Sequence, residues 1–127
     1  MEQEPQTRPL VAIGHVSLRV SDIAQATQYF VTLGLRLIHQ GQTLAVLELR
    51  GGTHLVLRPS VEPIEPRAKA PFDLMVDDLG KARQEYGALG LKPSEVEAGM
   101  VHRWFTLVGP DGYELTVTSS HTAGRVV

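Results

Sequence analysis

The chain contains no cysteine, and this absence removes several kinds of chemistry at once. Without thiols it forms no disulfide, uses no cysteine nucleophile and holds no cysteine-ligated metal. Aromatic residues are also scarce, with one tryptophan, three tyrosines and three phenylalanines among 127 residues. The single tryptophan, Trp104, is therefore the one indole that can stack on a planar ligand, unless it packs in the core or at a dimer contact.

The sequence also lacks a charge excess of one sign and a long apolar run. Twelve Lys and Arg residues against 14 Asp and Glu residues leave a formal net charge of −2. Such a balance gives no reason to expect a nucleic acid or an anionic membrane surface as a partner. No apolar run approaches the roughly 18 residues of a membrane-spanning helix, and the first ten residues are too polar for a signal peptide. We therefore expect a soluble, cytoplasmic protein.

What the sequence does contain is an internal repeat. The stretch VSLRVSDIAQATQYFVTLGL begins at Val16, and the similar stretch FDLMVDDLGKARQEYGALGL begins at Phe72. The two stretches match at five positions and end on the same Leu-Gly-Leu. His15 precedes the first copy, whereas Pro71 precedes the second. The repeat predicts two equivalent halves that differ at their first position.

Each copy predicts a strand followed by a helix. Apolar residues alternate at the start of each copy, and Asp22 and Asp78 then lie where a helix N-cap belongs. Gly34 and Gly90 lie where such helices end. The apolar stripe of each helix has spacings of three and four residues: Ile23, Ala26, Phe30 and Leu33 in the first, and Leu79, Ala82, Tyr86 and Leu89 in the second.

Strand-like runs follow each helix, namely LRLIHQ, TLAVLELR and THLVLRP in the first half and VHRWFTLV and GYELTVTSS in the second. RGGT and GPDGY are typical of the turns that join the last two strands of each half. The proline-rich run RPSVEPIEPRAKAP separates the halves. These patterns predict an α+β domain of two βαβββ units.

The expected boundaries follow from these runs. We predict a flexible segment over residues 1–10 and one domain over residues 11–120, followed by a tail at 121–127. Within the domain, half one covers 11–58, a linker covers 59–70, and half two covers 71–120.

At this point the sequence resembles the vicinal oxygen chelate superfamily, which includes glyoxalase I, extradiol ring-cleavage dioxygenases, and fosfomycin- and bleomycin-resistance proteins. The resemblance runs roughly from Val11 to Ser120 and rests on GHVSLRVSDIAQATQYFVTLGL, its echo up to Leu91, and GPDGYELTV. It implies that each half curls into a half-open mixed sheet and that paired halves form a cup. It also implies a homodimer, because many members pair their halves across two chains.

For metal-using members, the resemblance implies ligands at the start of each half's first strand and on each half's last strand. A divalent ion needs several nitrogen and oxygen donors and open positions for a bidentate substrate. His15 matches the first ligand, and His54 lies on the strand that supplies the second. The third position is Pro71, which has no donor atom, and the fourth is Thr116.

Glu114 is the acid nearest to the fourth position, two residues before it. Two residues span about 6.6 Å of strand, whereas metal–oxygen bonds of about 2.0–2.2 Å tolerate only a few tenths of an ångström. We therefore expect no metal and no other cofactor. The alternative is a shifted register in which His15, His54 and Glu114 bind Mn, Fe, Ni or Zn, with Asp73 as a substitute at the position of Pro71.

Strand alternation also predicts a polar sheet face in each half. The residues expected to line a ligand pocket there are His15, Ser17, His54, Asp73, Trp104, Glu114 and Thr116. Glu114 is the candidate catalytic residue, as a general base in a partly closed cup. Its alternative role is that of a solvated residue paired with Arg58 or Arg103.

Three functional classes remain open. The first is a metal-free protein that binds a small organic molecule, of the antibiotic-sequestering or ligand-carrying type. The second is a glyoxalase-type lyase or ring-cleavage dioxygenase, with a shifted ligand set or with acid–base residues alone. The third is a structural domain, which the polar sheet face argues against, because such a face must be solvated or line a polar cavity. Arg19, Arg58 and Arg103 would suit an anionic ligand if they face inward.

Overall fold

A computed structural model describes residues 7–127, in which each half is a βαβββ unit. The first half contains β1 (His15–Val20), α1 (Ile23–Leu33), β2 (Arg36–Gln40), β3 (Ala45–Glu48) and β4 (His54–Pro59). The second half contains β5 (Leu74–Val76), α2 (Leu79–Ala88), β6 (Glu97–Ala98), β7 (Arg103–Val108) and β8 (Glu114–Ser119). The predicted α+β class is confirmed.

Both halves are four-stranded open sheets with the same strand order. The order is β1-β4-β3-β2 in the first sheet and β5-β8-β7-β6 in the second. In each half the first and last strands are parallel and the remaining neighbours are antiparallel. His15 is in register with His54, and Leu74 is in register with Val117. The sequence repeat is therefore a repeat of topology.

The termini of the helices follow the expected cap chemistry. The carboxylate of Asp22 accepts a hydrogen bond from the backbone N–H of Gln25 at 3.0 Å, and Asp78 accepts one from Lys81 at the same distance. After α1, Gly34 adopts φ 116°, a left-handed conformation that favours glycine. Neither helix in the described part of the chain is long and apolar enough to cross a membrane.

The two helices differ in how deeply they are buried. The whole predicted stripe of α1 lies in the core. In α2 only Leu79 is buried, and Ala82 and Tyr86 are partly buried. Leu89 was expected to complete this stripe but is 57% exposed. The helix ends at Ala88, and Leu89 is its C-cap residue, whose N–H still donates to the carbonyl of Glu85 at 3.1 Å while its side chain faces solvent.

One cluster of buried apolar residues spans both halves. Phe30 and Leu57 from the first half and Phe105 and Leu115 from the second are fully buried in it. Burial of such a side chain contributes about 1.5–3 kcal/mol each relative to full exposure. Since the core takes the helix side of both sheets, the opposite side of each sheet is left for polar residues.

In the described part of the chain, side-chain hydrogen bonds join the halves at four places. Tyr113 Oη donates to the carbonyl of Arg19 (2.8 Å), and Tyr86 Oη donates to the carbonyl of Leu33 (3.0 Å). Arg50 Nη1 donates to Asp77 Oδ2 (2.7 Å), and the hydroxyl and N–H of Ser21 donate to the carboxylate of Asp111. The last two contacts occupy corresponding places in the two halves. In each, the residue after a first strand meets the turn before the other half's last strand. These contacts set the placement of one sheet relative to the other.

The proline-rich segment between the halves begins within β4, which ends at Pro59, and its residues 60–71 belong to no helix and to none of the eight strands named above. Its last residues nevertheless pair with the start of β8. The N–H of Ala70 donates to the carbonyl of Glu114 at 3.0 Å, and the N–H of Glu114 donates to the carbonyl of Ala68 at 2.9 Å.

The N-terminal segment over residues 1–10 was expected to be flexible. Residues 1–6 lie outside the described residues, and residues 7–10 are exposed.

Tyr29 on α1 makes the fold sensitive to alkaline pH. Burial, with a smaller contribution from nearby Tyr86, raises the pKa of Tyr29 from its ordinary value of 10.0 to about 12. Its hydroxyl has no hydrogen-bond partner among the described residues. The folded protein therefore holds this proton more tightly than the unfolded chain. That contribution to stability is complete below about pH 10 and is lost as the pH rises towards about 12.

We expect Tyr29→Phe to be at least as stable as the wild type at neutral pH and to lose less stability at about pH 11. The measurement is urea unfolding across this pH range. The control is Tyr86→Phe, which removes a hydrogen bond to Leu33 and should cost about 1 kcal/mol at neutral pH. An equal loss in both variants at neutral pH would mean that the Tyr29 hydroxyl has a partner.

Candidate functional site

The first sheet presents a polar face on the side away from the core, which we call the first polar face. It consists of His15, Ser17 and Arg19 from β1 and His54, Val56 and Arg58 from β4. The intervening Leu18, Val20, Leu55 and Leu57 are buried. Because the two strands are parallel and in register, the six side chains form three adjacent pairs. In a single chain, most of this face is open to solvent.

The second sheet presents the corresponding second polar face. It consists of Asp73, Met75, Trp104, Thr106, Glu114, Thr116 and Thr118. Thr118 is only 1% exposed although it lies on this side, and its hydroxyl donates to the carbonyl of Leu74 at 3.3 Å. The strand register puts Trp104 beside Thr118 and Thr106 beside Thr116. The candidate residues of the second half therefore share one surface.

Comparison of the two halves locates the equivalent positions on their last strands. Each last strand follows a short 3₁₀ turn, which ends at Gly52 in the first half and at Gly112 in the second. The position two residues after this glycine is His54 in one half and Glu114 in the other. The position four residues after it is Val56 in one half and Thr116 in the other. His54 thus precedes the implied ligand position by two residues, as Glu114 does.

The residues at the implied ligand positions do not fit a divalent metal. By the equivalence of the halves these positions hold His15, Val56, Pro71 and Thr116. Of the four, His15 alone offers the nitrogen or carboxylate oxygen that such ions prefer. Throughout residues 7–127, no three His, Asp or Glu side chains lie close enough together to hold a metal ion.

His54 has a partner that the sequence alone did not reveal. Its Nε2 lies 3.1 Å from Oε2 of Glu48 on β3, and Nη1 of Arg36 on β2 lies 3.6 Å from Oε1 of the same carboxylate. The side chains of His54 and Glu48 are 39% and 26% exposed. Detecting this pair requires the register between β3 and β4, in which Glu48 lies opposite His54.

Trp104 lies among aromatic neighbours at one end of the second polar face. Its ring centroid is 5.7 Å from that of His102, which in turn is 4.4 Å from that of His121 in the C-terminal tail. The indole is half-buried, so that part of it remains available to a ligand. Nδ1 of His102 is buried without a hydrogen-bond partner in the described part of the chain.

The charges of the two polar faces have opposite signs. Arg19 and Arg58 lie side by side on the first, whereas Asp73 and Glu114 lie on the second. Arg103 has the strand parity of buried Phe105 and so lies on neither face. Over the residues that the structure describes, Glu114 forms an ion pair with neither Arg58 nor Arg103.

Asp73 also lines a cleft of about 450 Å³ between the halves. The cleft is mostly apolar, with Val16, Leu49, Phe72 and Met75 among its walls. Its volume lies within the usual range for small-molecule sites. Asp73 thus lies at the junction of the two halves, whereas His15 and His54 lie together on the first polar face.

The chain matches one protein family over most of its length. The model of the Glyoxalase/Bleomycin resistance protein/Dioxygenase superfamily matches residues 12–117. No curated protein matches the chain closely enough to count as a relative.

Several solved structures share the fold. The lactoylglutathione lyase from Agrobacterium tumefaciens is 18% identical with a TM-score of 0.73, over 92% of this chain and 99% of that one. TnmS3, an antibiotic binding protein from a Streptomyces species, is 20% identical with a TM-score of 0.73, over 89% and 98%. The oxidase ChaP-H2 is 20% identical with a TM-score of 0.67, over 88% and 95%. Identities this low show a common fold and no more.

The packing around Trp104 predicts the effect of a substitution at Gly99. A Cβ atom added there would lie 3.0 Å from Cζ3 of the indole, closer than packed carbon atoms normally approach. We expect Gly99→Ala to displace the indole and shift the tryptophan emission maximum. The control is Gly87→Ala in α2, where the new methyl group meets no atom within 4 Å. An unchanged emission maximum in Gly99→Ala would contradict this packing.

Proposed function

Because the chain belongs to the Glyoxalase/Bleomycin resistance protein/Dioxygenase superfamily, we propose that it binds a small organic molecule in a polar cup without the family's full metal site. The observation that carries the proposal is the donor pattern at the four equivalent positions, His15, Val56, Pro71 and Thr116. A valine and a proline have no side-chain donor, and a threonine hydroxyl is a weak substitute for a carboxylate.

Each proposed cup has two walls. The first polar face of one chain forms one wall, and the second polar face of a second copy of the chain forms the other. In support, the first polar face is mostly open in a single chain and the second is partly so, and no three His, Asp or Glu side chains within residues 7–127 lie close enough together to hold a metal ion. The opposite charges of the faces favour their approach. The protein thus acts as a homodimer, and we place it in the cytoplasm, as its composition predicts.

The chemistry of the walls defines the expected ligand. Trp104 offers a flat apolar surface for a planar group, and Ser17, Thr106 and Thr116 offer hydroxyls that donate or accept. Arg19 and Arg58 favour a ligand with negative charge at one end. The description of TnmS3 as an antibiotic binding protein shows that this fold holds small molecules in at least one other chain.

An enzymatic alternative has its own support. His15 and His54 are adjacent in register, and two of the structural neighbours are described as a lyase and an oxidase. In this alternative the pair would bind Mn, Fe, Ni or Zn together with Glu114 contributed across the cup. Glu114 would otherwise serve as a general base without metal.

Elemental analysis separates the two functions. We expect chain purified without chelator or affinity tag to retain no stoichiometric Mn, Fe, Ni or Zn after loading and dialysis, because the donor set is incomplete. Binding of an organic ligand, followed through Trp104 fluorescence, should be unchanged by chelator. Stoichiometric metal that disappears in both His15→Ala and Glu114→Ala would establish the enzymatic alternative instead.

A pair of matched variants tests whether the cup is built across two chains. Val56→Arg obstructs the first polar face and Thr116→Arg obstructs the second, at equivalent positions. Each homodimer should lose ligand binding. Co-expression of both variants should restore it in part, because each mixed dimer then has one unobstructed cup.

Co-expression without any recovery would show that each cup lies within one chain. Circular dichroism of the single variants provides the control for folding. Sedimentation velocity of the wild type supplies the oligomeric state directly, and a monomer at all concentrations would overturn the two-chain cup.

A further inference from the structure

The halves meet at two places that are equivalent by the sequence repeat but are filled differently. Tyr113, which directly precedes β8, is only 9% exposed, and its hydroxyl donates to the carbonyl of Arg19 at 2.8 Å. The equivalent residue directly before β4 is Thr53, and the residue equivalent to Arg19 is Met75. Thr53 and Met75 both line the cleft of about 450 Å³ between the halves. One meeting place is thus closed by a tyrosine, and the other, which has a threonine there, is open.

This cleft, which we call the inter-half cleft, has apolar walls that continue the core. Val16, Leu49 and Phe72 line it, and the same three side chains pack against the buried cluster. Val16 and Phe72 have the strand parity opposite to that of the polar faces. The inter-half cleft is therefore distinct from the proposed cup, although Asp73 and Met75 border both.

The polar side chains that line the inter-half cleft leave one group free. The hydroxyl of Thr53 donates to the carbonyl of Ile13 at 2.8 Å, and Nη1 of Arg50 donates to Oδ2 of Asp77 at 2.7 Å. The carboxylate of Asp73 has no hydrogen bond and no ion pair among the residues that the structure describes. Two carboxylates thus face one guanidinium around the cleft, and this balance favours a cation.

We propose that the inter-half cleft is a second ligand site, which takes a compact apolar molecule that carries an ammonium group. The apolar body of the ligand lies against Val16, Leu49 and Phe72, and its ammonium group donates to the free carboxylate of Asp73. A cleft of this volume is large enough for a small molecule. The inference goes beyond the proposed function and stands without it, because the apolar walls of the cleft are not walls of the cup.

The test uses three probes that share one compact cage and differ in charge: adamantylamine, adamantanol and adamantane carboxylate, all at neutral pH. Isothermal titration calorimetry gives the dissociation constant of each probe. We expect the amine to bind about threefold more tightly than the alcohol, as an exposed ion pair allows, and the carboxylate to bind most weakly. In Asp73→Asn the amine should bind no more tightly than the alcohol.

Thr53→Tyr closes the inter-half cleft with the residue that closes the equivalent place in the other half. We expect this variant to fold, because Tyr113 shows that the scaffold accommodates such a ring, and to lose binding of all three probes. Val56→Arg is the matched control, since it obstructs the first polar face on the other side of the same sheet. It should bind the three probes as the wild type does. Circular dichroism checks the folding of each variant.

Three results would overturn the proposal. A wild type that binds none of the probes would show that the inter-half cleft is closed in solution, as a second copy seated on it would cause. Equal affinities for the three probes would remove the role of Asp73. Loss of binding in Val56→Arg but not in Thr53→Tyr would place the probes in the cup. If Thr53→Tyr does not fold, Asp73→Asn still decides the matter, because it changes the charge of an exposed side chain without changing its size.

Discussion

The parallel pairing of the first and last strands within each half is the constraint on which the rest of the structure depends. It brings β1 beside β4 and β5 beside β8, although 33 residues lie between the paired strands of the first half and 37 between those of the second. Such strands need a crossover connection, and the helix that follows each first strand begins it and covers the sheet. The apolar residues then have one side to occupy, and the polar residues are collected on the other.

Burial of one side explains why each polar face is so well defined. Side chains alternate along a strand, so a slip of one residue would exchange the whole buried set for the polar set. Leu55 and Leu57 on β4 and Leu115 and Val117 on β8 are fully buried, which holds the register of both last strands. His54 and Glu114 consequently occupy equivalent places, two residues before the positions where the family pattern would have ligands.

The two halves share a backbone fold but differ in the side chains of their polar faces. The first polar face has two arginines and two adjacent histidines, one of which contacts Glu48 on the neighbouring β3, whereas the second has carboxylates, threonines and a tryptophan. Such a division suits a site in which one wall contributes charge and the other contributes stacking and hydrogen bonds. The duplication thus preserved the scaffold while the residues on its polar faces diverged.

The sequence by itself determined most of the elements and their faces, because caps, apolar stripes and strand alternation are local patterns. The two-residue β6 (Glu97–Ala98) lies outside the strand-like runs. Asp22 and Gly34 mark the limits of α1, and the alternation in β1 assigns His15 and Ser17 to the polar side. Only the tertiary structure decided which side chains from distant segments of the chain are neighbours. Leu89 continues the apolar stripe of α2 in the sequence but is exposed in the fold, and the contact between Glu48 and His54 depends on the register of β3 against β4. A register is set by packing between segments distant along the chain, and no local pattern encodes it.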